Sequence, residues 1–173
     1  IRELKYVLKI FIKNLKKIPI IRRIYPSLIK KIYNLFNIEI INYTFYGLKL
    51  SGNINEPMDK EIFLFQEYEN LQINYLLHSV ELSTFDYFID VGANSGLYSL
   101  IIAKKFNNIK IKSFEPILKS INKFRKNIIL NKNINNIEIF DFGLSNKNSN
   151  LLMKSLKKKN YIQTGGFGVA KNT

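Results

Sequence analysis

Residues Tyr87-Phe88-Ile89-Asp90-Val91 form a short apolar run holding one carboxylate, broken by Gly92-Ala93-Asn94-Ser95-Gly96 before a helical stretch opens at Leu97. An apolar run of this length bounded by glycine reads as a strand buried on both faces of a sheet. Gly92 lets the chain turn sharply off the strand, and Gly96 lets the new helix approach the sheet and a ligand closely. The alternation then continues. Residues 97–105 read as a helix, 109–114 as a strand ended by Pro116, 118–130 as a helix and 137–142 as a third strand. Such an order predicts an α/β fold with a Rossmann-like parallel sheet wound by right-handed crossovers.

The glycine loop matches neither common phosphate loop. The dinucleotide fingerprint places glycine where this chain has Asn94, and the lysine of the nucleotide-triphosphate loop is missing. The loop is expected to present backbone N–H groups at a helix N-terminus, in the crevice at the strand ends. A carboxylate inside an apolar strand is costly unless hydrogen-bonded, so Asp90 either accepts bonds from the loop's own N–H groups or acts on a cationic ligand such as an α-amino group. Glu115 ends the second strand, about 20 residues past Gly96, the offset at which an acidic side chain takes ribose hydroxyls in Rossmann-type sites. Its two oxygens match the two donors of a ribose diol, and Pro116 holds it extended. A ligand with ribose and little phosphate is implied, and S-adenosylmethionine, with a zwitterionic tail and no phosphate, is such a ligand.

The segment Phe88 to Leu100, FIDVGANSGLYSL, with Ser113-Phe114-Glu115-Pro116, resembles the FkbM-type family of methyltransferases. Asn127 to Asn131, Phe142-Gly143-Leu144-Ser145-Asn146 and the upstream Tyr68-Glu69 extend the likeness, which covers roughly residues 43–155. The resemblance implies a class I S-adenosylmethionine-dependent methyltransferase fold. It implies that Asp90, Gly92, Ala93, Asn94 and Gly96 surround the methionine part of the cofactor, that Glu115 takes its ribose, and that residues 143–145 border the adenine. It also implies O-methylation of a small-molecule, sugar or glycan acceptor. The fourth strand and acidic segment typical of the family have no counterpart before Thr173, so the chain is expected to be a piece cut at both ends, with only the N-terminal half of the sheet and no activity alone.

The flanking regions divide the chain into a basic amphipathic helical segment (1–36), lead-in strands and a helix (37–86) and the incomplete cofactor-binding part (87–173). Residues 1–18 read as an amphipathic helix that Pro19 stops, and a second basic, apolar piece covers 26–36. This segment either packs on the domain or lies on an anionic membrane. Strand-like residues follow at 38–50, with a turn at Tyr46-Gly47 and a break at Ser51-Gly52-Asn53. Residues 59–66 fit helix or strand. Asn70 is placed to cap a helix that buries Leu71, Tyr75, Leu76 and Val80.

The net charge of +14 is uneven, with ten Lys and Arg against Glu3 in residues 1–31, and fifteen basic against three acidic side chains in residues 91–173. A nucleic-acid methyltransferase is therefore a second reading and a non-catalytic membrane- or RNA-binding module a third, although charge alone makes no nucleic-acid binder. With no cysteine and the single His78, thiolate and all-histidine metal sites are excluded. No stretch reaches the roughly 18 apolar residues of a membrane span, the start is a poor signal peptide, and a cytoplasmic, membrane-associated location is expected. No catalytic base is evident: His78 reads as a surface or structural residue. Lys157-Lys158-Lys159 reads as a solvated loop, and Gly165-Gly166-Phe167-Gly168 as a substrate loop or a flexible connection.

Overall fold

The computed structural model describes residues 18–78, 84–151, 153–155 and 167–169. The expected helix over 1–18 therefore lies outside the described residues but for its last, as do Val80, Lys157 to Lys159, Gly165 and Gly166. The chain forms two compact units, one of residues 1–43 and 52–68, the other of residues 44–51 and 69–173.

In the first unit, helix α1 (Pro19–Leu35) starts where a helix was expected to stop. Pro19 sits in its first turn, where a missing N–H costs nothing, and Pro26 is carried within it. Helix α2 (Pro57–Phe65) resolves the helix-or-strand ambiguity, opening on Pro57 and closing on Gln66 in the left-handed region. The two helices meet through Tyr25 on Phe65 and Tyr33 on Phe63, with ring centroids 6.2 and 6.0 Å apart. Arg22 reaches Glu61 at 2.9 Å and Glu67 at 3.2 Å. Strands β1 (Ile40–Phe45) and β2 (Leu48–Asn53) form a hairpin about the Tyr46-Gly47 turn, with residues 44–51 belonging to the second unit.

Ser51, Gly52 and Asn53 continue β2 and do not break it. The reason lies in buried Asp59, which accepts the Tyr43 hydroxyl and the Asn53 N–H, each at 2.7 Å. Its carboxyl fills the space a Cβ on Gly52 would need, 2.4 Å from Cγ. Glycine is there for a close approach, not a turn.

The second unit is the predicted parallel sheet. Strands β3 (Tyr87–Val91), β4 (Lys110–Phe114) and β5 (Ile137–Phe140) pair in the order β3-β4-β5, with Asp90 opposite Ser113 and Phe114 opposite Phe140. Helix α3 (Asn70–His78) precedes it, and helices α4 (Leu97–Lys105) and α5 (Leu118–Leu130) make the crossovers. Six of the nine residues of α4 are buried, and α5 buries Ser120, Ile121, Phe124 and Asn127. A short antiparallel pair, β6 (Met153–Ser155) and β7 (Phe167–Val169), contains Phe167 and Gly168.

Two expectations fail here. Strand β3 is not buried on both faces: Tyr87, Ile89 and Val91 are exposed, Val91 at 62%. Because the strands follow one another in sequence order, two right-handed crossovers put α4 and α5 on the same face, and the described residues leave the other open. In α3 the buried residue is Ile73, while Leu71 (85% exposed) and Tyr75 point outward. Asn70 is the first helical residue, not the cap, and the left-handed Glu69 precedes it.

Candidate functional site

The loop after β3 is a tight structure with three left-handed residues, Gly92, Asn94 and Gly96, at φ of 80°, 51° and 77°. Its N–H groups are turned inward. Those of Gly92 and Ala93 both bond the Phe114 carbonyl, at 2.9 and 3.1 Å, and that of Gly96 bonds Ala93 at 2.8 Å. The Asn94 N–H goes to Glu115 Oε2 at 2.8 Å. The expected row of outward donors is therefore absent over these four residues. A chain this sharply bent buries its own peptide groups, and each must find an acceptor within the protein.

Glu115 is the hub. It is buried, and its other oxygen, Oε1, accepts the Ile117 N–H at 2.9 Å, so the side chain ties the loop to the residue that precedes α5. Each oxygen keeps a second lone pair for a donor from outside. Gly92 is exposed, and a Cβ built on it would meet nothing within 4 Å, so open space lies beside the loop. Asn94 Oδ1 is buried without a hydrogen-bond partner among the described residues. An orphaned buried acceptor is costly and marks a place for a donor. Gly96 serves packing: a Cβ there would lie 2.0 Å from the Phe124 ring. Ala93 is buried between its neighbours.

Asp90 lies under the loop. Its Oδ2 accepts the Ser99 hydroxyl at 2.5 Å, and Ser99 Oγ is 2.8 Å from the Ser113 hydroxyl, with both serines fully buried. Burial pushes the Asp90 carboxyl above its ordinary 3.8, and hydrogen bonds from Ser99 pull it back in part. Of the two partners foreseen for Asp90, the loop N–H groups of Gly92, Ala93, Asn94 and Gly96 are committed elsewhere, and the bond it makes comes from α4.

Residues from the flanking segments complete the surroundings. Tyr98, in the first turn of α4, donates to Glu69 at 2.6 Å. Its signal in the sequence is the helical register directly behind Gly96. Phe114 and Phe140 stack at 4.7 Å, and half-exposed Phe142 meets both edge-on, next to Gly143. A Cβ on Gly143 would lie 3.7 Å from the Pro116 ring, in ordinary contact. Asn127 and Asn131 bind backbone: Asn127 Oδ1 accepts the Ser51 N–H at 2.9 Å, and Asn131 takes the Lys49 N–H and donates to the Lys49 carbonyl. Two side-chain amides thus satisfy an edge of β2 as a neighbouring strand would. His78 contacts the Asn74 carbonyl one turn back. A cleft of about 630 Å³ lies at the C-terminal end of α4, against Ala103, Lys104 and Asn131, and holds none of the loop residues. Among the described residues no cluster of His, Asp and Glu could hold a metal ion.

No family model matches the chain. Over 78 residues it is 28% identical to the methyltransferase sdnD of Sordaria araneosa, an alignment covering 45% of this chain and 30% of that protein. The chain thus spans under a third of the length of this curated relative. Among solved structures it is similar to a SAM-dependent methyltransferase from Agrobacterium tumefaciens, at 14% identity and a TM-score of 0.45, over 60% of this chain and 32% of that one. It is also similar to the Pyrococcus abyssi tRNA (uracil-54, C5)-methyltransferase in complex with S-adenosyl-L-homocysteine, at 18% identity and a TM-score of 0.39, over 59% and 24%.

Proposed function

We propose that this chain carries the cofactor-binding part of an S-adenosylmethionine-dependent methyltransferase that acts on a hydroxyl of a small molecule or glycan. The observation that carries the reading is the loop itself: open space at Gly92, an unpartnered acceptor at Asn94 and a buried carboxylate at Glu115, at two adjacent strand ends. The curated relative, a methyltransferase, supports the reaction class.

The donor set fits the cofactor. Glu115 has acceptor capacity for ribose hydroxyls, Asn94 Oδ1 and the Asp90 carboxylate suit an ammonium group, and the inward-turned N–H groups offer little to a phosphate. When bound, the cofactor would supply an activated methyl on a sulfonium. The protein's contribution is orientation. Glu115 fixes the loop on which Asn94 sits, Ser99 fixes Asp90, and the bare Gly92 leaves room for close approach. The aromatic group of Phe114, Phe140 and Phe142 offers an apolar border for a purine.

Titration calorimetry of the chain with S-adenosylhomocysteine tests the reading. Binding is expected, and Gly92→Ala should weaken it at least about tenfold while costing only the roughly 1–2 kcal/mol of a left-handed alanine in stability. Removing the charge in Glu115→Gln should weaken it by a similar factor, since hydrogen bonds to a charged group contribute about 1.5–3 kcal/mol. Absence of binding to the folded wild-type chain would refute the proposal.

A further inference from the structure

We propose that the outward face of α1 seats on an anionic lipid surface. One side of this helix is engaged: Tyr25 and Tyr33 pack on α2, and Arg22 pairs with Glu61 and Glu67. A second line carries Ile20, Ile24, Leu28 and Ile32 at intervals of four, with exposures of 69, 58, 52 and 41%, and winds from the side opposite α2 at Ile20 to the flank of Tyr25 at Ile32. Leu35 and Phe36 prolong the stripe and are more exposed still than Ile24 and Leu28. At 1.5 Å per residue, Ile20 to Leu35 makes an apolar stripe about 22 Å long. Large aliphatic groups repeated along one line are not the scattered apolar residues of an ordinary surface, and such patches mark a docking site.

Charge selects the occupant. The helix contains no acidic residue, so every charge on it is positive. At 100° per residue, exposed Lys31 falls inside the apolar arc, and exposed Arg23, with Ser27 and Asn34, borders it. A second copy seated by two-fold symmetry would bring these cations together with no acidic residue on the helix to pair them. A protein partner would have to bury Lys31 within an aliphatic contact or supply a matching carboxylate. A lipid surface needs neither: the aliphatic stripe enters the acyl boundary while Lys31 and Arg23 extend to anionic headgroups. Among the described residues no helix is long and apolar enough to cross a membrane, so α1 would lie in the interface plane.

The test is flotation of the chain with vesicles of phosphatidylglycerol and phosphatidylcholine in equal parts, and with phosphatidylcholine alone. Binding to the anionic vesicles is expected, falling as salt is raised. Ile24→Gln with Leu28→Gln should lower it at least about tenfold, because two buried aliphatic side chains are lost from the lipid contact. Both positions are exposed, so the melting curve should not move. Arg23→Gln with Lys31→Gln should weaken binding to the anionic vesicles alone. Undiminished flotation of the Ile24/Leu28 variant would assign lipid binding to another part of the chain and overturn the proposal, as would equal binding to both vesicle types. A dimer that the same pair of substitutions dissolves, without lipid binding, would give the face to a second copy.

Discussion

Removing the Ser99 hydroxyl probes the polar chain beneath the loop. Ser99→Ala takes one donor from the Asp90 carboxylate and leaves the fully buried Ser113 hydroxyl without its 2.8 Å partner. The Ser113 part is independent of pH and costs about 1–3 kcal/mol. The Asp90 part depends on charge: a bond to the ionised carboxylate contributes about 1.5–3 kcal/mol, a neutral one about 0.5–1.5. The excess for the ionised form is therefore about 1 kcal/mol, and the Asp90 carboxyl should rise further in the variant. The sign follows from linkage. A carboxyl raised above 3.8 by burial binds protons in the folded state that the unfolded state has released, so its contribution to stability is greatest below that value and is lost as pH rises through the folded pKa. Ser99→Ala widens that window upward. Urea unfolding at pH 4 and pH 8 should show the variant losing about 1 kcal/mol more at the higher pH, a difference that Asp90→Asn should abolish. A cost equal at both pH values would show that Ser99 serves Ser113 alone.

Gly96→Ala should prevent stable folding or lower stability by about 3 kcal/mol or more, since the left-handed φ and overlap with Phe124 add, as thermal denaturation would show. Asn127→Ala should cost about 1–3 kcal/mol by stranding the buried Ser51 N–H, whereas Asn131→Ala, facing exposed Lys49, should cost under about 1 kcal/mol. Equal losses in unfolding titrations would overturn that ranking.

The parts legible in the sequence are those where one physical signal acts alone. Residues 87–91, 97–105 and 118–130 read correctly to the residue because glycine, proline and asparagine punctuate clean apolar runs. The third strand stops at Phe140 instead of Phe142, where no breaker marks the end. The readings that failed required knowledge of what lies across the fold. Pro19 favours the start of a helix as much as it forbids the middle, and the sequence does not say which. Gly52 looks like a break, yet Asp59 occupies the space beside it; Gly96 reads as a point of close approach, but its neighbour there, Phe124, is distant in sequence and could not be named. Asn127 to Asn131 enter only as part of a resemblance, because nothing local reveals that β2 has an edge for their amides to satisfy. In the candidate site, the positions of Asp90 and Glu115 at two adjacent strand ends could be read. The donors that fix them, Ser99 and the Asn94 N–H, could not.

The inward-turned loop has a consequence for ligand choice. A phosphate-binding loop works by aiming several N–H groups at one anion, but here those of Gly92, Ala93, Asn94 and Gly96 are held by Phe114, Glu115 and Ala93. On the proposed reading, what would face the ligand is instead the acceptor Asn94 Oδ1 and two carboxylates. A phosphate held about 6 Å from one carboxylate would be repelled by about 3 kcal/mol at an effective dielectric constant near 20, with no donor row to offset it. S-adenosylhomocysteine ends in a zwitterion, whose ammonium balances its own carboxylate, where ADP carries phosphates alone, so the two should separate by roughly a hundredfold in affinity. Adenosine, which lacks both, should fall between them. Competition calorimetry at low salt measures this order directly. ADP displacing S-adenosylhomocysteine at comparable concentration would mean that the loop opens to release its N–H groups, and the argument from its hydrogen bonds would fail.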